Sequence, residues 1–403
     1  MKYILLCMLL QTNLLDQYLE VQHQRLGFSG VLLIAKKDSI VYQGTIGMAS
    51  EELNVPLSIN NRFRVASITK SFTAWLIVQA AKEGKLRLTD PLSSYIPNRW
   101  PKITIEQLLT HTSGIPHNEG ITDYWTIKSR LPLTKEQALE AILEMKLLPA
   151  EGMHYSSPGY FLLACILETV YKTSYEKLLL AKLPLLKHTG VYNIRSIIPS
   201  LTAGYHMMGD SLVVAPYRDP SLMKGSGDLY STAADLLLWN NTCREFNYGW
   251  MKEGDAFYHG GGSFGCSAIN VVYPKDSLSI ILLSNVSVMP VNEMWHDIEK
   301  IIFNRPFEMP QVNTYIKITN PQQFSGTYET NGATLQIIAV KDQLYAKLGN
   351  NPAFEIFANG PLEFSGKKVN IRIIFKKDEK GNIKGLQVEG RGNPLHFIKN
   401  LHY

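Results

Sequence analysis

The chain has 403 residues, 45% of them hydrophobic and 19% charged, enough to bury a large core in roughly two or three domains. Its formal net charge of +5 comes from lysines and arginines that are scattered, not gathered into blocks, so the basic footprint of a nucleic-acid binder is missing. No apolar run reaches the ~20 residues needed to span a bilayer, which confines any tie to a membrane to the N-terminus.

That N-terminus, Met1-Lys2 followed by an apolar run over 3–10, reads as a short export leader within residues 1–15. Export would place the protein in the periplasm or outside the cell. No Ala-x-Ala site follows, and the competing reading is a first helix continuing through Leu14, Leu15, Tyr18 and Leu19 in a cytoplasmic protein. Residues 29–35 and 40–44 read as two strands joined across Lys37-Asp38-Ser39. Phe72, Leu76 and Ala80 recur four apart ahead of a Gly84 stop, the pattern of a buried helix. Residues 133–145 and 160–171 carry helical spacing, and 231–239 begins with a capping-box-like Ser-Thr-Ala-Ala-Asp. Strands return over 267–273 and 278–283, followed by a helix over 291–302. Strands at both ends with helices between them predict one mixed α/β unit, spanning 16–306, whose sheet is closed late. Past Asn304-Arg305-Pro306 and Pro310 the chain turns to short β-runs at 333–340, 344–348 and 369–375, punctuated by turns. Residues 311–403 therefore read as a separate antiparallel β-module.

The four cysteines have no metal-like spacing, and the ten histidines include no His-Glu-x-x-His pair, so neither metal nor cofactor is expected. Chemistry concentrates instead in three short segments. Ser67-Ile68-Thr69-Lys70 sets a hydroxyl and an amine one helical turn apart, on one face, beside the apolar run of the buried helix. A serine needs a neighbouring group to take its proton as it attacks a carbonyl, and a lysine amine does this only when desolvated. Taken alone the segment is more often a helix cap. Tyr155-Ser156-Ser157-Pro158-Gly159-Tyr160 places a phenol on a loop, where a half-buried aromatic is the ordinary reading. His259-Gly260-Gly261-Gly262-Ser263-Phe264-Gly265 lets backbone approach a substrate closely, or is a flexible turn.

In this order, and with 63–70, 108–115 and 227–232 around them, the three segments resemble the serine β-lactamase and penicillin-binding-protein superfamily, in its class-C-like and D-alanyl-D-alanine carboxypeptidase branch. The resemblance covers roughly 16–304. It implies an antiparallel sheet flanked by helices plus an all-helical lobe, with the site between them. It also implies Ser67 as acylated nucleophile, Lys70 as the amine that helps deprotonate it, and Tyr155 as a second base whose phenol Lys70 acidifies. The amides of Ser67 and Gly262 would form an oxyanion hole, with Ser157, His259, Gly260 and Gly261 along the substrate edge and His111 and Ser113 in a structural role. Two positions depart from the family pattern. Ser157 stands where asparagine is usual, and His259 where true β-lactamases have lysine. A mostly neutral histidine grips a substrate carboxylate less firmly than an ammonium does. The expected activity is hydrolysis of small esters, amides or D-amino-acid peptides through an acyl-enzyme, with slow β-lactam turnover at most. A penicillin-binding sensor or a self-assembling scaffold of the same fold is the alternative. The C-terminal module, including 324–329, is similar to the lipocalin-like domain of some peptidases in this superfamily. Covering the site mouth, homo-oligomerisation and stabilising the hydrolase domain are the roles open to it. Gly261-x-Ser263-x-Gly265 also satisfies the nucleophile elbow of α/β-hydrolases, which would require a helix directly after Ser263.

Overall fold

The computed structural model describes residues 2–37, 39–97, 99–149, 151–208, 211–243, 245–312, 315–330, 332–349, 351, 353–366, 371–390 and 393–400. Asp38 of the first hairpin turn, the start of the strand expected from 369 and the Cys7 side chain lie outside the described residues. Two compact units divide the chain, one made of Ser29–Tyr205 and Ala215–Phe303, the other of Met1–Phe28, His206–Val214 and Asn304–Tyr403.

The first unit is built on a six-stranded antiparallel sheet. Its spatial order runs Met251–Glu253, Ala256–Ser263, Cys266–Tyr273, Leu278–Ser284, Gly30–Lys36, Ser39–Ile46. The two ends of the unit thus meet in mid-sheet, with Val31 opposite Leu283 and Ile34 opposite Ile280. Gly30–Lys36, Cys266–Tyr273 and Leu278–Ser284 are buried almost throughout because helices cover both faces. Such strands read as unbroken apolar runs, not as alternation.

Several of the helices start where the sequence supplies a side-chain cap. In the chain numbering used here the helices are α1 (Lys2–Leu26), α2 (Thr69–Lys82), α3 (Ile105–Leu109), α4 (Lys135–Leu143), α5 (Ser157–Tyr171), α6 (Tyr175–Lys182), α7 (Ala233–Thr242) and α8 (Val291–Ile302). Thr104 with Gln107, and Thr134 with Gln137, form reciprocal capping boxes at α3 and α4. Ser156 caps α5 by accepting from the Gly159 amide, and Thr232 caps α7 through Asp235. Serine 67 caps nothing. It lies in a 3-10 turn, Ala66–Ile68, ahead of α2.

Phe72 of α2 stacks on Trp239 of α7 at 4.1 Å, and the Trp239 indole donates to Ser71 Oγ at 3.1 Å. Deeper in the core Asn240 and Asn270 exchange amide hydrogen bonds of 2.9 and 2.7 Å, and Asn240 also donates to Ser279 Oγ at 3.2 Å. These bonds fix α7 on the sheet face that carries His259, the cross-strand partner of Asn270.

In the second unit eight antiparallel strands, from Gly326–Thr330 to Leu395–Lys399, close into a barrel. This architecture fits the lipocalin-like domain expected from the sequence. Its interior is packed by Phe324, Tyr328, Phe364 and Phe375 with ring centroids 4.7 to 5.9 Å apart, so the barrel encloses a core. In the same unit Tyr18 of α1 meets Phe307 edge-on at 5.8 Å.

Asn270→Ala should cost about 1–3 kcal/mol, because it strands the buried Asn240 amide. Adding Asn240→Ala should recover part of that loss. A urea-denaturation cycle checks this, and strictly additive losses would refute coupling through the amide pair.

Candidate active site

The turn that carries Ser67 is held in an uncommon backbone shape. Ala66, next to Ser67, has φ of +44°, a left-handed conformation that side chains other than glycine seldom adopt. The strand Ala256–Ser263 lies against this turn so closely that a Cβ on Gly261 would sit 2.1 Å from the Val65 carbonyl oxygen. Glycine is required there by contact, not by flexibility. Gly262, one residue on, is exposed with open space around its Cα, so its backbone is available to a ligand. The Gly-rich segment is therefore a strand edge packed on the turn that carries Ser67.

Lys70 is fully buried, yet its amine is not stranded. Nζ lies 3.1 Å from Ser67 Oγ, 3.0 Å from Ser157 Oγ and 2.8 Å from the Ser226 carbonyl oxygen. The Ser226 carbonyl can only accept. A neutral amine donating to Ser226 and Ser157 keeps its lone pair for the Ser67 hydroxyl proton. Burial drives Lys70 well below the ordinary lysine range, the buried Asp228 carboxyl works against this and the Arg218 charge reinforces it. Ser157 thus binds the amine from the position where the family pattern has asparagine.

Tyr155 covers the same amine with its ring, whose centroid is 4.7 Å from Lys70 Nζ. Here the structure differs from the expectation that Lys70 acidifies the phenol. Burial pushes Tyr155 up, with the Ser67 hydroxyl only partly offsetting it, so the resting group is a neutral phenol. Both departures have one cause: desolvation disfavours whichever form is charged.

Three histidines surround Tyr155, with ring centroids at 4.6 Å for His111, 5.5 Å for His117 and 6.3 Å for His259. His111 Nδ1 accepts from the Ser156 amide at 3.0 Å and His117 Nδ1 from the Ser157 amide at 3.1 Å. An accepting Nδ1 carries no proton, so each ring is neutral with its proton on Nε2. Burial first and the Lys70 charge second push them down to about 3 and about 4. Together they pin the loop that presents Tyr155 and Ser157. His259 is buried and turned inward, its Nδ1 donating to the Gly260 carbonyl at 2.6 Å, and burial lowers it to about 3. It is placed to shape the strand and holds no charge for a substrate.

Ser67, Lys70, Tyr155, Ser157 and His259 are thus assembled around one amine, with Gly261 and Gly262 on the adjoining strand. Ser113 holds its own loop by accepting from the Ile115 amide. Ser263 ends its strand, and the next element is the strand Cys266–Tyr273, so the helix that a nucleophile elbow requires is not there. Sequence reasoning missed His117, Ser226, Asp228 and Arg218. His117 sits two residues past a segment that carried the resemblance, and its spacing from His111 was the available signal. Ser226 acts through its carbonyl, which no side-chain pattern reveals. Tyr155 and His117 also line a groove of about 750 Å³ with Met145, Met153 and His154. Among the described residues no group of three or more His, Cys, Asp or Glu side chains is arranged to hold a metal ion.

A sheet with helices on both faces, a helical lobe and a serine one turn before a buried lysine define the β-lactamase-like fold. Residues 12–242 match the family described as Beta-lactamase, and the chain belongs to that family. Penicillin-binding protein 4* of Bacillus subtilis (strain 168) is 25% identical over 415 residues, which cover 87% of this chain and 91% of that one. The octameric penicillin-binding protein homologue from Pyrococcus abyssi superimposes with a TM-score of 0.64 at 20% identity, over 96% of this chain and 99% of that chain. The D-amino acid amidase from Ochrobactrum anthropi SV3 gives 0.63 at 22% identity, over 73% and 99%. At these identities the two structures establish the fold.

Asp228 supplies a pH-dependent test. Burial raises its carboxyl to about 7, against the opposing pull of backbone N–H donors and Lys224. The native state therefore holds this proton more tightly than the unfolded chain does. The associated stability is full below about pH 4 and is lost as the pH rises through about 7. Asp228→Asn cannot ionise, so its stability relative to the parent should rise by up to about 4 kcal/mol between about pH 4 and pH 8. Urea midpoints at several pH values check this; a difference independent of pH would show that the buried carboxylate carries no penalty.

Proposed function

We propose that this protein is a serine hydrolase that acts through a covalent acyl-enzyme on small esters, amides or D-amino-acid peptides, with β-lactams as poor substrates. The observation that carries the proposal is the buried Lys70 amine, 3.1 Å from Ser67 Oγ and bonded on its other sides to Ser157 and Ser226. In this reading neutral Lys70 takes the Ser67 proton as Oγ attacks the carbonyl carbon. The amides of Ser67 and Gly262 receive the oxyanion, each such donor being worth about 10² to 10³ in rate. Tyr155 gives its phenolic proton to the leaving group and regains one from the Lys70 ammonium. Water then repeats the sequence on the acyl-enzyme. A neutral His259, which cannot hold a substrate carboxylate electrostatically, supports esters and amides over antibiotics as acyl donors. The names of relatives, among them an amidase and a penicillin-binding protein, agree with this range. Export to the periplasm or beyond, and assembly of the kind named for the octameric Pyrococcus abyssi homologue, belong to the same proposal.

Intact-mass spectrometry after exposure to benzylpenicillin and to p-nitrophenyl acetate tests it. An acyl adduct and p-nitrophenol release are expected of the parent, with both lost in Ser67→Ala. Tyr155→Phe should lower turnover by about 10² to 10⁴ with the fold intact. A lasting penicillin adduct without ester turnover would identify a sensor. Neither adduct nor turnover, with large assemblies on sizing, would identify a scaffold.

A further inference from the structure

The groove that Tyr155 and His117 line is larger than the chemistry at Ser67 requires. Its volume of about 750 Å³ lies toward the upper end of the range of small-molecule sites, ~300 to 1,000 Å³. The ammonia released from a primary amide, or the methanol released from a methyl ester, would leave most of it empty. Its wall is formed in advance. Arg99 donates to the carbonyls of Glu144 and Met145 at 2.6 and 2.9 Å, the Leu148 amide bonds to the Gly114 carbonyl at 2.7 Å, and the His154 amide to the His111 carbonyl at 2.7 Å. Along this wall Met145 is buried, whereas Met153 is 61% and Leu148 40% exposed, so apolar surface is left uncovered inside a held frame. Methionine side chains adapt to the shape of what they meet.

Position says which half of a substrate belongs here. In the proposed mechanism Tyr155 hands its proton to the departing atom, so that atom sits at the phenol and the rest of the leaving group extends away from it. The groove has Tyr155 on its wall, while Ser67 and Gly262, which would hold the acyl carbon and its oxyanion, do not line it. Charge narrows the chemistry further. Glu119 and Glu144 line the groove, are exposed and form no ion pair among the described residues, and they outnumber the one lysine there, Lys146. Burial and the Lys70 charge lower His117 while Glu119 pulls the other way, so the field of Glu119 reaches the end of the groove nearest Tyr155. A leaving group that carried a carboxylate would be repelled there, and one that carried an ammonium drawn in.

We propose that this groove is the leaving-group subsite, and that it selects an extended leaving group, apolar along its length and neutral or cationic, over one that bears a carboxylate. The proposal rests on the serine-hydrolase reading and adds a specificity to it. Esters and amides whose far end is blocked or basic are preferred to substrates with a free C-terminal carboxylate. Glu119 and Met153 are specificity residues, since they meet the leaving group away from the bond that breaks.

Three acetates that share one acyl group test this on the full-length protein: 3-acetoxybenzoate is anionic, its methyl ester neutral, and 3-(trimethylammonio)phenyl acetate cationic. Dividing each kcat/KM by the rate at which imidazole cleaves the same ester removes differences in intrinsic reactivity. The corrected values should fall from the cationic to the anionic ester by about 3- to 30-fold. Met153→Lys, a change at an exposed position, sets a cation in the groove and should shift the cationic-to-anionic ratio at least about threefold toward the anion. Glu119→Gln should shift it the same way, and Met153→Leu should hold it. p-Nitrophenyl hydrogen succinate and p-nitrophenyl acetate differ in charge on the acyl half, so their ratio should stay constant across these variants. A parent that prefers the anionic leaving group, a ratio indifferent to both charge-changing variants, or an equal shift in the acyl pair would overturn the subsite. Ser67→Ala keeps the two readings apart: ester hydrolysis that survives it sinks the serine mechanism, whereas its abolition together with a charge-blind groove sinks the subsite alone.

Discussion

The burial of one amine organises this protein. Lys70 lies at 0% exposure, and an ammonium there would forfeit its hydration. The fold answers with three oxygens brought from three separate segments: Ser67 from the 3-10 turn, Ser157 from the first turn of α5, and the carbonyl of Ser226 from the loop before Asp228. Each segment is held elsewhere. Gly261 packs the 3-10 turn against the sheet, Ser156 caps α5, and the Gly225 amide bonds to the Asp228 carboxylate. The three oxygens satisfy the amine, while its burial lowers its proton affinity. A change that rehydrated Lys70 would relieve the cost of burying its charged form and raise its proton affinity.

This constraint spreads to the neighbours. Burial disfavours a charge on the histidines as it does on Lys70, and an ammonium at Lys70 would add to this, so His111, His117 and His259 are all depressed to about 3 or 4. Being reliably neutral, His111 and His117 can spend Nδ1 on the backbone amides of Ser156 and Ser157 at every pH near neutrality. Polar residues packed this densely around a tyrosine thus serve as fixed acceptors. Half-buried Ser67, Tyr155 and His117, together with exposed Gly262, open the cluster to solvent.

Much of the site was legible from residue spacing. Serine and lysine three apart ahead of an apolar helix must share a face, and the structure keeps that face although the serine itself lies in a 3-10 turn. Likewise, β-rich runs at both ends of the first unit announced a sheet that joins late, and helix 291–302 was readable to the residue from its periodicity. The strand Ala256–Ser263 was hidden because three successive glycines carry no β signal. Glycine appears there for clearance against Val65, a reason that exists only in three dimensions. Closure of the barrel was equally silent. It depends on Tyr328 pairing with Lys399, and no local pattern records so distant a match. Arg218 follows no motif, since a π-helical turn at Tyr124–Lys128 delivers its aromatic partners from far along the chain.

The charges that remain near Lys70 oppose one another. Asp228, raised to about 7, favours a proton on Lys70 when ionised, while Arg218 disfavours one. Their pulls on Lys70 are opposite, and that of Asp228 exists only while its carboxyl is ionised. With Asp228 protonated its charge vanishes and the lysine is more readily neutral. With Asp228 ionised, its charge favours an ammonium at Lys70.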